Sequence, residues 1–222
     1  MRVFGALLSP YVNKVALVAA EKGVPWELVL VGPGSPDPVF RAASPFGKIP
    51  AIDDDGFLLC DSTAIVAYLE ARYPATPLLP ADPQLRGRAV WFDEFADTIY
   101  FGAGMKVLFN RLVGPKLLKV GGDEALAQQG EAELAPIVAW LETAVPAECW
   151  LLGEMFTLAD VAVASVMHSL SAVGWGPDPA AFPQTAAWYD RVAARPAWQA
   201  VAALGDARHR HRDGLVAGPR PG

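Results

Sequence analysis

The spacing of apolar and polar positions changes once along the chain, near residue 80. Residues 2–8 form a short apolar run of strand length. Beyond it Val12, Val15, Ala16, Ala19 and Ala20 recur at i, i+3, i+4 spacing, which predicts a helix opened by Ser9-Pro10 and closed at Gly23. Residues 27–31 read as a second strand, completing a β-α-β unit. Pro33, Gly34, Pro36 and Pro38 break the next stretch, where no long helix is expected. Residues 48–52 and 57–60 read as a hairpin around a turn at 53–56. A helix is then predicted over about 63–73, with Ile65, Val66 and Leu69 on one face.

Pro74, Pro77 and Pro80 mark a linker, and beyond it the strand signals vanish. Helices are predicted over 82–112, 123–144, 157–172, 182–195 and 197–204, some of them kinked. Thr157-Leu158-Ala159-Asp160 fits a capping box, with Phe156 and Val161 spaced for the accompanying hydrophobic staple. Residues 206–222 lack apolar periodicity and are expected to be a flexible, weakly basic tail.

Composition removes several function classes. The chain has 222 residues, a net charge of −6 and 53% hydrophobic residues, enough apolar material for a large core. The acidic balance argues against nucleic acid as a partner. No run approaches the roughly 18 apolar residues of a membrane span. Pro10, Asn13, Lys14 and Glu21 interrupt the N-terminal apolar run, so no signal peptide is read there and a cytoplasmic location is expected. Two cysteines, Cys60 and Cys149, make no CxxC pair, and three histidines, His168, His209 and His211, make no metal cluster. No metal is expected. A chain this poor in reactive side chains is expected to import its reactive group.

Three short segments could carry chemistry. Ser9-Pro10 is a good N-cap and N1 pair, which is a complete structural explanation. The same hydroxyl beside a helix N-terminus also suits an anion such as a thiolate. Ile49-Pro50 enters a strand; a cis bond there, found in only about 5–6% of such bonds, would offer the Ile49 backbone to an extended ligand. Asp61-Ser62 precedes a helix that Ser62 is placed to cap, while the acid and the hydroxyl together suit a zwitterionic amino-acid end.

In this order and spacing, Ser9-Pro10, Ile49-Pro50, Asp61-Ser62, the proline linker and the 157–160 capping box resemble the glutathione S-transferase family over the whole chain. The likeness is to a serine-type, bacterial-like cytosolic member. It implies an α/β thioredoxin-like domain over 1–76, a linker over 77–83, an all-α domain over 84–206 and a flexible tail over 207–222. Glutathione is then the co-substrate. Pro50 is the cis proline, Ile49 pairs through its backbone with the cysteinyl part, Asp61 and Ser62 hold the γ-glutamyl end, and Lys48 reaches the glycyl carboxylate. Phe4-Gly5-Ala6-Leu7-Leu8 has no tyrosine and the helix start has no cysteine, so Ser9 is the residue expected at the sulfur. The absent cysteine also disfavours reductase chemistry through a mixed disulfide with the protein.

The implied partner is a hydrophobic electrophile, and the implied assembly a homodimer acting in detoxification. Phe95, Ile99 and the 102–105 turn suggest an apolar pocket wall in the helical domain. Tyr11, Tyr100, Met105 and Trp175 are candidate contacts, with Arg111 as an anion contact. Cys60 and His168 read as packing residues, and His209-Arg210-His211-Arg212 as a solvated basic end. Two other readings stay open: a glutathione-dependent isomerase, dehalogenase or peroxidase on the same site, and a non-catalytic interaction protein of the same fold.

Overall fold

In the computed structural model the described backbone covers residues 1–215, with side chains described to residue 205. The first half runs β1 (Arg2–Gly5), α1 (Pro10–Glu21), β2 (Glu27–Leu30), α2 (Pro38–Ala43), β3 (Ala51–Asp54), β4 (Phe57–Cys60) and α3 (Ser62–Arg72). Its four strands lie in the order β2-β1-β3-β4, with β1 and β2 parallel and the other pairs antiparallel. Alternation along the strands divides the core. Val3 and Ile52 join the main core with α1 and α3, whereas Phe4 and Ala51 pack with Phe40 and Ala43 of α2 on the opposite face. Cys60 packs at the margin of that second cluster, as its sequence context suggested.

Helix α1 ends as predicted. Gly23 adopts φ 65°, and Gly23 and Val24 donate to the carbonyls of Ala20 and Ala19, the hydrogen bonds of a Schellman cap. Gly5 sits with φ 153° so close to α1 that an added Cβ would meet Val12 Cγ2 at 2.4 Å. This contact holds the end of β1 against the helix that follows.

The second half contains α4 (Pro83–Glu94), α5 (Phe101–Leu108), α6 (Glu124–Ala144), α7 (Leu158–Ser171), α8 (Pro183–Ala193) and α9 (Pro196–Leu215). Wide π-helical turns, Phe95–Tyr100 and Phe109–Leu118, flank α5. The second contains Pro115, which has no N–H for the ordinary ladder. The expected kinked helix over 82–112 is therefore one longer rod with two widened stretches. Helix α9 continues past residue 206 to Leu215, so the expected flexible tail begins as helix. Residues 216–222 lie outside the described residues, as do the side chains of His209 and His211.

Helix α1 is the hinge-pin of the architecture. It packs against α3 on one side and against α7 and α9 on another. Its apolar periodicity marked a single buried face, yet every residue from Val12 to Ala19 is buried, including Asn13 and Lys14. Among the described residues no helix is long and apolar enough to cross a membrane.

Candidate functional site

Strand register brings the three sequence segments together. Phe4, Ala51 and Cys60 form one row across the sheet, through the pairs Phe4↔Ala51 and Ala51↔Cys60. Neighbouring strands lie about 4.8 Å apart. The chain leaving β1, the residue entering β3 and the residue leaving β4 therefore emerge at the same sheet end. Those positions lead to Ser9, Pro50 and Asp61.

Each segment presents polar atoms that have no partner among the described residues. Ser9 occupies the N-cap position of α1 with φ −74° and ψ 125°, and its carbonyl accepts the first helical bond from Asn13. Its side chain makes no capping bond. The plain cap role thus gives way: the hydroxyl sits beside a helix N-terminus without serving it. The Ile49–Pro50 peptide is cis, as the family resemblance implied. Among the described residues, neither the N–H nor the C=O of Ile49 has a hydrogen-bond partner.

At α3 the expected roles are exchanged. Asp61, not Ser62, is the N-cap; its Oδ1 accepts from Ala64 N at 3.0 Å while its backbone takes φ 78°. Ser62 is the first helical residue and is buried. Its hydroxyl and Asp61 Oδ2 have no protein partner among the described residues. The positive φ at Asp61, with ψ 126° outside the left-handed helical region, was not visible in the sequence because nothing local demands it.

Lys48 is exposed in the loop before β3, its carbonyl accepting from Ser44 Oγ at 2.7 Å. Sequence reading missed a second cation here. Arg41 of α2 places Nη1 beside Gly47, 3.2 Å from where a Cβ would stand. The signal was present as Asp37-Pro38: Asp37 Oδ1 accepts from Phe40 N at 2.8 Å and Pro38 opens the helix. The surrounding prolines and glycine masked it.

The five candidate electrophile contacts separate. Tyr11 lies in the first turn of α1, half-buried, its ring edge-on to Phe101 at 5.4 Å and its hydroxyl donating to the Asp97 carbonyl at 3.0 Å. Burial first, then Asp97 and Asp61, push its phenol up to about 12, so it stays neutral. Tyr100 is fully buried between Phe95 and Trp175, which removes it from any surface pocket. Trp175 is half-buried and packs on Tyr100. Arg111 is held by Glu124 and Glu131, each with an oxygen at 2.6 Å, and is not available as an anion contact. Its carboxylate partners stand on α6, too far along the chain for helix-period reasoning to pair them. Met105 remains exposed on α5. Phe95 and Ile99 do line an apolar groove, but its other walls are Trp91, Pro136, Ile137 and Trp140. His168 packs edge-on against Trp198 at 5.4 Å, in keeping with a packing role.

Beside Tyr11, Asp97 shares Lys14 with Asp93. Burial pushes the Asp97 carboxyl up to about 6; Lys14 opposes this, while Asp93 and Glu94 add to it. The folded protein holds that proton where the unfolded chain has lost it. The group's contribution to stability is therefore greatest below about pH 4 and declines as pH rises through 6. Thermal midpoints recorded from pH 4 to 7 are expected to show this decline as a component that disappears in Asp97→Asn.

Fold and site together define the glutathione S-transferase family, and the chain belongs to it. The family's "Glutathione S-transferase, N-terminal domain" matches residues 3–77 and its "Glutathione S-transferase, C-terminal domain" matches residues 102–196. The chain is similar to "Glutathione S-transferase 3" of Zea mays, 34% identical over 209 residues, covering 91% of this chain and 93% of the relative. Among solved structures, apo glutathione S-transferase III superposes with a TM-score of 0.75 at 31% identity, over 100% of this chain and 99% of that one. Glutathione S-transferase-I bound with lactoylglutathione gives a TM-score of 0.79 at 25% identity, over 91% of this chain and 98% of that one.

Proposed function

We propose that the protein binds glutathione at the sheet end formed by Ser9, Ile49-Pro50 and Asp61-Ser62 and activates its sulfur for attack on a hydrophobic electrophile. The observation that carries this reading is the convergence there of unengaged polar groups: the Ser9 and Ser62 hydroxyls, the Ile49 peptide and Asp61 Oδ2. An extended tripeptide satisfies them in order. Its sulfur meets Ser9, its cysteinyl backbone pairs with Ile49 as an added strand, and its γ-glutamyl ammonium and carboxylate meet Asp61 and Ser62. Lys48 and Arg41 supply positive charge for the glycyl carboxylate.

Chemically, Ser9 Oγ–H donates to the sulfur, and the N-terminus of α1 adds positive potential. The thiol proton passes to solvent. The thiolate then forms an S–C bond while the leaving group departs with its electron pair, and no bond to the protein is made. Calorimetric titration is expected to show glutathione binding at or below millimolar concentration, with turnover of activated aryl or alkyl halides. No binding at millimolar glutathione would leave the non-catalytic reading standing. Turnover confined to isomerisation, dehalogenation or peroxide reduction in a panel of acceptors would change the reaction but not the site.

A homodimer fits the same reading. Phe46 is 89% exposed on the loop before β3, and the groove lined by Trp91, Phe95, Ile99, Pro136, Ile137 and Trp140 holds about 300 Å³. One chain carrying both a projecting apolar side chain and an apolar recess can pair with a second copy through a two-fold axis, each filling the other. Phe46→Glu is expected to sediment as a monomer at micromolar concentration where the unmodified chain is a dimer. A dimer that survives the substitution would remove Phe46 from the interface.

A further inference from the structure

Lys14 has no place in the apolar pattern of α1, yet its side chain is only 1% exposed. Its Nζ lies 2.6 Å from Asp93 Oδ1 and 2.7 Å from Asp97 Oδ2, and Asp93 is fully buried. The other Asp93 oxygen, Oδ2, accepts from Thr63 Oγ1 at 2.8 Å. These bonds join three elements: α1, α3 and the rod formed by α4 and its π-helical continuation. Their attachment points sit at the ends of interest. Thr63 follows Ser62, and Tyr11, two residues past Ser9, donates to the carbonyl of Asp97.

Two carboxylates sharing one ammonium is an inefficient way to gain stability. Desolvating the charges offsets most of their attraction, and apolar residues of similar volume stabilise such positions as well or better. What a buried, hydrogen-bonded charge cluster does supply is fixed geometry, since each partner accepts only a narrow range of positions. A binding site assembled from separate elements needs its groups held to within about 0.5 Å.

We propose that Thr63, Asp93 and Lys14 are positioning residues that set the spacing between the start of α1 and the start of α3, and hence between the sulfur and γ-glutamyl ends of bound glutathione. This rests on the glutathione reading of the site. The network acts through Ser62 and Asp61, without touching the tripeptide itself.

Lys14→Met would strand the fully buried Asp93 and the partly buried Asp97 and is expected to unfold the chain, so the informative variant is Thr63→Val. It keeps the shape and removes one hydroxyl. Glutathione KM is expected to rise about three- to tenfold while kcat at saturating glutathione stays within about twofold. Thr63→Ser, which restores the hydroxyl, is expected to return KM to the unmodified value. Glu21→Gln is the control. Glu21 and Arg195 form another tie between α1 and the helical half, with oxygens at 2.6 and 2.7 Å, far from the sheet end. This variant is expected to lower the thermal midpoint and leave KM alone. If Thr63→Val lowers the thermal midpoint but leaves KM unmoved, or if Thr63→Ser fails to restore it, the network is only structural and the proposal is overturned. If the unmodified protein itself binds no glutathione, it is the functional reading that fails.

Discussion

Ser9→Ala is expected to lower kcat/KM for glutathione conjugation by about 10- to 100-fold, with glutathione affinity changed by less than about threefold. The reasoning follows from what the hydroxyl does and does not do. It forms no capping bond, so its removal leaves α1 with the N-terminal hydrogen bonds it already has. Its loss falls on whatever charge develops beside it. A free thiol titrates near ~8.5, and each unit of lowering corresponds to about 1.4 kcal/mol of preference for the thiolate. A hydrogen bond to an ionised acceptor supplies about that much. The α1 N-terminus persists in the variant, which is why a residual rate is expected. Steady-state kinetics with several electrophiles checks the result. Full activity across all of them would reduce Ser9 to a residue of the loop.

Asp160→Ala is expected to cost at least about 4 kcal/mol of folding stability, a large share of the roughly 5–15 kcal/mol typical of a folded domain. Asp160 is buried at the first turn of α7. It accepts from Leu151 N at 2.9 Å, Thr157 N at 3.0 Å, Thr157 Oγ1 at 3.2 Å and Trp188 Nε1 at 2.9 Å. Burial pushes its carboxyl up, and these four donors pull it back. Alanine leaves all four without a partner in a dry site, which is costlier than losing the bonds alone. Asp160→Asn retains one oxygen and is expected to fall between. Denaturant unfolding measures both; a loss below about 1 kcal/mol for alanine would contradict the assigned role.

These two residues differ in how they show themselves. The 157–160 cap was legible because capping is local: threonine, an acid three residues on, and apolar neighbours suffice. The same holds for Gly23 after α1 and for the strands whose apolar runs are bounded by turns. The site segments were legible only as a set. Ser9-Pro10 and Asp61-Ser62 each read alone as ordinary caps; their order and spacing with Ile49-Pro50 carried the family resemblance, and the structure moved the cap of α3 from Ser62 to Asp61.

What the sequence hid was non-local. The partners of Lys14 lie near residues 93 and 97, and those of Arg111 on the next helix. The former turned an odd buried lysine into a junction, and the latter turned a candidate anion contact into an ion-paired surface residue. Tyr100 looked like a pocket residue because its segment is aromatic, but the π-helical turn over Phe95–Tyr100 rotates the helix away from the 3.6-residue period. Polar patterning in 206–215 suggested a free tail, whereas the backbone continues α9 to Leu215.

The central claim is that this fold promotes the ionisation of a bound thiol, lowering its pKa, using Ser9 and the start of α1. Titrating the ultraviolet absorbance of the thiolate in the glutathione complex tests it directly. The account predicts a midpoint near pH 7 or below for the unmodified protein, moved up by about one unit in Ser9→Ala. A bound thiol that titrates near ~8.5, like the free one, would contradict it.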